Sequence, residues 1–142
     1  MERALRKRGV HVLRNSAAPI GRDRSTWVVG LDCMCQHAQR LDRALHRAPS
    51  NRPKILVIHE PDFARDAPPG FAIQFSGHSH GGQVRLPGIG ALQTPRFARI
   101  YTDGLERAPN HPVYTSRGVG VVAPRVRLFC DPEVNLITLR SA

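Results

Sequence analysis

The sequence predicts an α/β fold of two packed mixed β-sheets flanked by helices. Short apolar, strand-like runs recur along most of the chain, while few segments show helical spacing. One run, residues 55–58, is continuously apolar, as expected of a strand covered on both faces. A chain of 142 residues is enough for one domain with a real core, and no linker, repeat or low-complexity stretch divides it. The expectation is a single unit over residues 1–142. Twelve glycines and twelve prolines favour many turns over long helices.

Taken in order, residues 2–8 read as the last turns of a helix. Gly9 is its stop, and Arg6, Lys7 and Arg8 suit the negative end of the helix dipole. Residues 10–13 read as a short strand, 15–23 as a loop and 25–31 as a second strand. Ala38, Leu41, Ala44 and Leu45 recur at helical spacing, so 36–47 reads as a helix ended by Pro49 and Pro53. The apolar strand at 54–59 follows. Residues 62–65 read as one helical turn with Asp62 as its N-cap. A strand at 71–76 leads into a glycine-rich loop, and a strand at 83–86 into a long Gly/Pro-rich segment, 87–112. Three more strands are expected at 113–116, 126–129 and 136–139.

The formal charge of +10 comes mostly from scattered arginines, and only Arg6-Lys7-Arg8 forms a run. With no basic helix and no interleaved aromatic stripe, this reads as an arginine-biased surface, and no nucleic-acid partner is expected. Three cysteines, Cys33, Cys35 and Cys130, do not make a disulfide framework and suit a reducing compartment. No apolar stretch reaches the ~18 residues that span a bilayer, and no apolar h-region follows the basic N-terminus, so the chain is expected to be cytoplasmic.

The residues with the most chemistry are Gly77-His78-Ser79-His80-Gly81-Gly82-Gln83. On an extended backbone, side chains at i and i+2 share a side, so His78 and His80 can aim at one place. Flanking glycines allow a sharp turn and close approach of a ligand. His59 ends the apolar strand at 54–58. If the two strands are neighbours, three imidazoles meet beyond strand ends, where α/β sheets place their sites. Neutral imidazole suits Zn, Fe, Mn, Ni or Co. The competing reading is a histidine-containing turn packed on the sheet. Cys33-x-Cys35-x-His37 offers soft donors at a spacing other than Cys-x-x-Cys and without a fourth ligand, so it reads as a loop entering the next helix. Ser79 reads as a turn residue, since no general base is placed for it.

Residues 77–83 closely resemble the Gly-His-Thr-His-Gly-Gly-Gln signature of calcineurin-like metallophosphoesterases, above all their bacterial phosphodiesterase branch. Ile55-Leu56-Val57-Ile58-His59-Glu60-Pro61-Asp62 is similar to the family's strand ending in His-x-Pro-Asp. Tyr114-Thr115-Ser116-Arg117-Gly118-Val119-Gly120 resembles its Tyr-Val-Ser-Arg-Gly-Leu-Gly. Pro124, Arg125, Pro132-Glu133 and Ile137-Thr138-Leu139 match its closing strands.

The resemblance implies an αββα sandwich and two divalent metals (Mn, Fe or Zn) about 3.5–4 Å apart that clamp a phosphoester. It implies His59 and His78 on one metal and His80 on the other. Arg117 is the candidate for gripping a phosphate bidentately. The family's Asp-x-His, Gly-Asp and Gly-Asn-His motifs, which carry its bridging aspartate and general-acid histidine, do not occur here. Asp32 and Asp62 are the available carboxylates, read as a strand end and a turn cap.

The chain therefore reads as the C-terminal portion of one such domain, incomplete at its N-terminus. The activity it implies is metal-dependent phosphomonoester or phosphodiester hydrolysis; an inactive fragment or weak metal-binding module is the alternative. Self-association through exposed sheet edges is expected, as is membrane association of any full-length parent.

Overall fold

The computed structural model describes residues 2–140. Helix α1 is Glu2–Lys7, and Gly9 leaves it with φ +78°. Strands β1 (Ser16–Ile20) and β2 (Thr26–Gly30) form a hairpin, followed by helix α2 (Leu41–Leu45) and strands β3 (Lys54–Val57) and β4 (Ile73–Ser76). A two-stranded ribbon follows, β5 (Arg85–Leu86) with β6 (Gly90–Ala91), and then β7 (Gly104–Arg107) and β8 (Pro112–Thr115). The main sheet has six strands in the order β1-β2-β3-β4-β8-β7. Its inner four, β2, β3, β4 and β8, run parallel, and the edges β1 and β7 are antiparallel to them. The α/β class with a mixed sheet, a second small sheet and few helices is thus as expected.

Apolar side chains explain this order. Val29, Leu31, Ala44, Leu56, Ile58, Ala67 and Phe71 form one buried cluster, with Leu41, Leu45 and Phe63 packed against it. Ala64, Tyr101, Ala108 and Val113 form a second. Lys54 is buried at the start of β3, and its ammonium donates to the carbonyls of Ser50 and Arg52 at 3.0 Å each. Burial of β3 on both faces ends at Leu56; Val57 is 41% exposed.

Several elements differ from the sequence expectation. Residues 10–13 form no strand, and the strand lies instead at Ser16–Ile20, inside the 15–23 segment expected to be a loop and with Pro19 within it. An edge strand tolerates a proline, since one row of N–H groups has no partner there. The helix expected over 36–47 is only Leu41–Leu45, preceded by a 3-10 turn at Met34–Gln36; His37, at φ +52°, breaks the two apart. The segment 87–112 contains β6 and β7. The strands expected at 126–129 and 136–139 are not formed, and residue 128 contributes only a bridge to Val84. Asp62 does not cap its own turn (Pro61–Arg65); its carboxylate accepts the backbone N–H groups of Arg99, Ile100 and Tyr101 at 2.9–3.2 Å.

The C-terminal residues carry much exposed apolar surface, including Val119, Phe129, Val134 and Leu136, the last 97% exposed. Sedimentation velocity should therefore show concentration-dependent association, reduced in Phe129→Ser/Leu136→Ser; a monomer at every concentration would contradict this.

His111, 4% exposed, stacks edge-on against Phe71 at 5.5 Å, and neither ring nitrogen has a hydrogen-bond partner among the described residues. Burial lowers its pKa. The folded state then binds fewer protons than the unfolded state just below pH 6.5, so stability falls as pH drops through that range. His111→Phe should remove up to about 1.4 kcal/mol per pH unit of that slope, measured as the difference between variant and parent melts from pH 7.5 to 5.5. Parallel pH profiles would exclude this role for His111.

Candidate functional site

Four parallel strands end on one side of the sheet, and the residues just beyond those ends meet there. Asp32 and Cys33 follow β2, His59 and Glu60 follow β3, His78 to His80 follow β4, and Arg117 follows β8. The β3–β4 register pairs Val57 with Phe75, and the Gly77 N–H donates to the His59 carbonyl at 3.0 Å. This places the His59 and His78 rings edge to face, with centroids 4.8 Å apart.

The loop is not extended, so alternation along a strand is not what orients its histidines. His78, His80 and Gln83 all have positive φ (+66°, +51° and +55°), while Ser79 is right-handed helical. Such backbone is costly for non-glycine residues and persists only where surroundings hold it. Ser79 is buried, and its hydroxyl accepts the Gly81 N–H at 3.0 Å, which stitches the turn and leaves no nucleophile role visible. Gly81 has φ +63°, and a Cβ there would lie 2.7 Å from Cys130 Sγ and 2.8 Å from Arg117 Cγ. A Cβ on Gly82 would collide with Ala91. The paired glycines are thus a packing requirement as well as a turn requirement.

Each loop imidazole has one nitrogen occupied. His80 Nδ1 faces the Gly120 carbonyl at 3.1 Å, and His78 Nε2 faces the Arg96 carbonyl at 2.9 Å. A carbonyl partner fixes an N–H on that nitrogen, leaving the lone pair on His80 Nε2 and on His78 Nδ1. Partial burial lowers the pKa of His59, with the neighbouring His78 and His80 acting the same way and Glu60 opposing them. The His59 ring therefore suits the neutral form that binds metals. A cavity of about 540 Å³ opens beside them, lined by His59, His78 and His80 with Gln83, Thr94 and Pro124.

Two further residues hold this arrangement: Arg127, which carried no sequence signal, and Gln83, the last residue of the signature. Arg127 donates from Nη1 to the carbonyls of His80 and Cys130 (3.2 Å each), and from Nη2 to those of Arg117, Gly118 and Gly120 (2.8, 3.1 and 2.7 Å). Gln83 clamps the neighbouring loop: its amide NH₂ donates to the carbonyls of Val122 and Pro124, and its oxygen accepts the Val122 N–H at 2.6 Å. Scattered arginines looked alike in sequence. Only the fold shows that this one faces carbonyls rather than solvent.

The remaining candidates are otherwise engaged. Arg117 makes a bidentate pair with Asp103 at 2.6 and 2.7 Å, and its stem lies under Gly81, so its fork supports the loop. Asp32 accepts from Arg14 at 3.0 and 3.2 Å and from Asn15 at 3.1 Å. Glu60 is fully buried and accepts from Cys33 Sγ at 2.7 Å and from the backbone N–H groups of Met34 (3.0 Å) and Cys35 (3.4 Å). Burial raises the Glu60 pKa, but these hydrogen bonds outweigh it and the net shift is downward. Burial, then Glu60, pushes the Cys35 thiol up to about 11.

Arg127→Met should leave five clustered carbonyls without their shared donor and cost roughly 2–4 kcal/mol. Arg127→Lys should recover only part, because an ammonium lacks the planar fork. Thermal melts of the three proteins check this; equal stability of Arg127→Met and the parent would refute it.

The chain is similar to the metallophosphoesterase YkuE of Bacillus subtilis, 39% identical over 90 residues, covering 61% of this chain and 31% of that protein. It is similar to the phosphodiesterase YaeI of Escherichia coli, 37% identical over 93 residues, covering 63% and 33%. It is also similar to a transmembrane protein with metallophosphoesterase domain of Danio rerio, 29% identical over 154 residues, covering 97% and 34%. The chain spans about a third of the length of these curated relatives. No protein-family model and no solved structure matches it. The signature loop and the mixed sheet that presents it agree with these relatives, several of which are named metallophosphoesterases or phosphodiesterases: over the matched residues the chain resembles the calcineurin-like metallophosphoesterases.

Proposed function

We propose that this chain supplies His59, His78 and His80 to a two-metal phosphoesterase site that hydrolyses a phosphomonoester or phosphodiester. The observation that carries the reading is the contact of the His59 and His78 rings at two adjacent parallel strand ends, with His80 lining the same cavity. Divalent metals of the Mn, Fe or Zn class, when bound, lower the pKa of a water nucleophile and neutralise charge on the phosphoryl oxygens. His59 and His78 are close enough to serve one ion, and His80, turned toward Gly120, serves the other. Cavity walls from Leu92 to Pro95 and from Val122 to Pro124 shape the space for the ester. Arg117 acts by supporting the loop through Asp103.

A second reading is metal binding without turnover. It is favoured by the carboxylates: Asp32 and Asp62 are engaged by other partners, and among the described residues none stands as a bridge between the histidines. No helix among the described residues is long and apolar enough to cross a membrane. Membrane attachment of a longer parent fits the name of the Danio rerio relative.

Hydrolysis of an aryl phosphodiester with added Mn²⁺ tests the main reading. His78→Ala and His80→Ala should each lower the rate by more than about 100-fold. Activity equal in His80→Ala and the parent would remove that residue from the site. Stoichiometric Mn²⁺ binding without turnover would favour the second reading.

A further inference from the structure

Where β2 and β3 end side by side, the chain brings a second set of donors together. Continuing the Gly30–Val57 register past the strand ends sets Cys33 beside Glu60. Cys33 Sγ, Cys35 Sγ and a Glu60 oxygen all lie within 4.8 Å of one another. Two thiolates on one tetrahedral zinc-like ion stand about 3.8 Å apart, from bonds of about 2.3 Å, so a contraction of at most about 1 Å closes the set. His37, the third donor suggested by sequence spacing, is not part of this group.

Electrostatics points the same way. Glu60 is 0% exposed, yet no basic side chain pairs with it among the described residues. A buried carboxylate is ordinarily paired or bound to a metal. Among the described residues its hydrogen-bond partners are a thiol and two backbone N–H groups. The fourth direction faces the histidine site: Cys35 Sγ lies 4.0 Å from His78 Nε2. That nitrogen carries the N–H given to the Arg96 carbonyl, so His78 borders the group and is not one of its donors.

We propose that Cys33, Cys35 and Glu60 bind a thiophilic divalent cation of the zinc class, adjacent to the histidine site and separate from it. Two thiolates and a carboxylate select a borderline-soft ion over magnesium or calcium. Binding releases the two thiol protons and leaves a locally anionic complex, which the chain's +10 formal charge accommodates.

Cobalt(II), titrated into the full chain under reducing conditions, is the probe, because thiolate ligation adds a sulfur-to-cobalt charge-transfer band that imidazole ligation does not. The expected result is such a band at one equivalent, displaced by zinc, retained in His80→Ala and in Cys130→Ser, and lost in Cys33→Ser/Cys35→Ser. Serine at position 33 can still donate to Glu60, so the double variant keeps that bond, and circular dichroism checks its fold. Cobalt binding with no charge-transfer band would leave the histidine site standing and overturn the thiolate site. A band of equal intensity in the double variant would overturn it as well.

Discussion

The guanidinium of Arg127 is the interaction on which the site depends most. It gathers carbonyls from the histidine loop, from the Arg117–Gly120 turn and from Cys130 into one cluster. Carbonyl dipoles converging without a cation would repel one another, and the loop backbone already carries three non-glycine residues at positive φ. One of the gathered oxygens, that of Gly120, also faces His80 Nδ1. A single cation therefore holds the loop closed and sets which nitrogen of His80 is available.

The sheet supplies the other half of the arrangement. Four parallel inner strands end together, so side chains far apart in sequence become neighbours without any long-range designed contact. The same geometry produces both the imidazole site and the thiol–carboxylate group. The two lie side by side because β2, β3 and β4 are consecutive in the sheet. What separates them chemically is the donor set: nitrogen at the ends of β3 and β4, sulfur and a buried carboxylate between β2 and β3.

Strands with strong apolar patterning were legible in sequence, as β2, β3, β4 and β8 show. The signature loop was legible too, because glycine-histidine spacing reflects packing constraints that act locally. The misread elements fail for identifiable reasons. Pro19 hides an edge strand whose unpaired side tolerates it, and Gly104–Arg107 pairs only through a distant partner, β8. Residues 126–129 and 136–139 have strand-like composition but almost no sheet neighbour here. At the site, His59, His78 and His80 were visible as residues, whereas their orientation was not: it comes from positive φ and from carbonyls at positions 96 and 120. Glu60 joined the cysteines only through strand register.

The central claim is that the three strand-end imidazoles bind divalent metal through nitrogens chosen by their carbonyl partners. Long-range ¹H–¹⁵N spectra of the histidine rings during a zinc titration test it most directly. The account predicts metal-dependent shifts at His59, His78 and His80, with His80 ligating through Nε2 and His78 through Nδ1, while His11, His37, His46 and His111 stay unchanged. Shifts confined to those other histidines, or ligation of His80 through Nδ1, would contradict it.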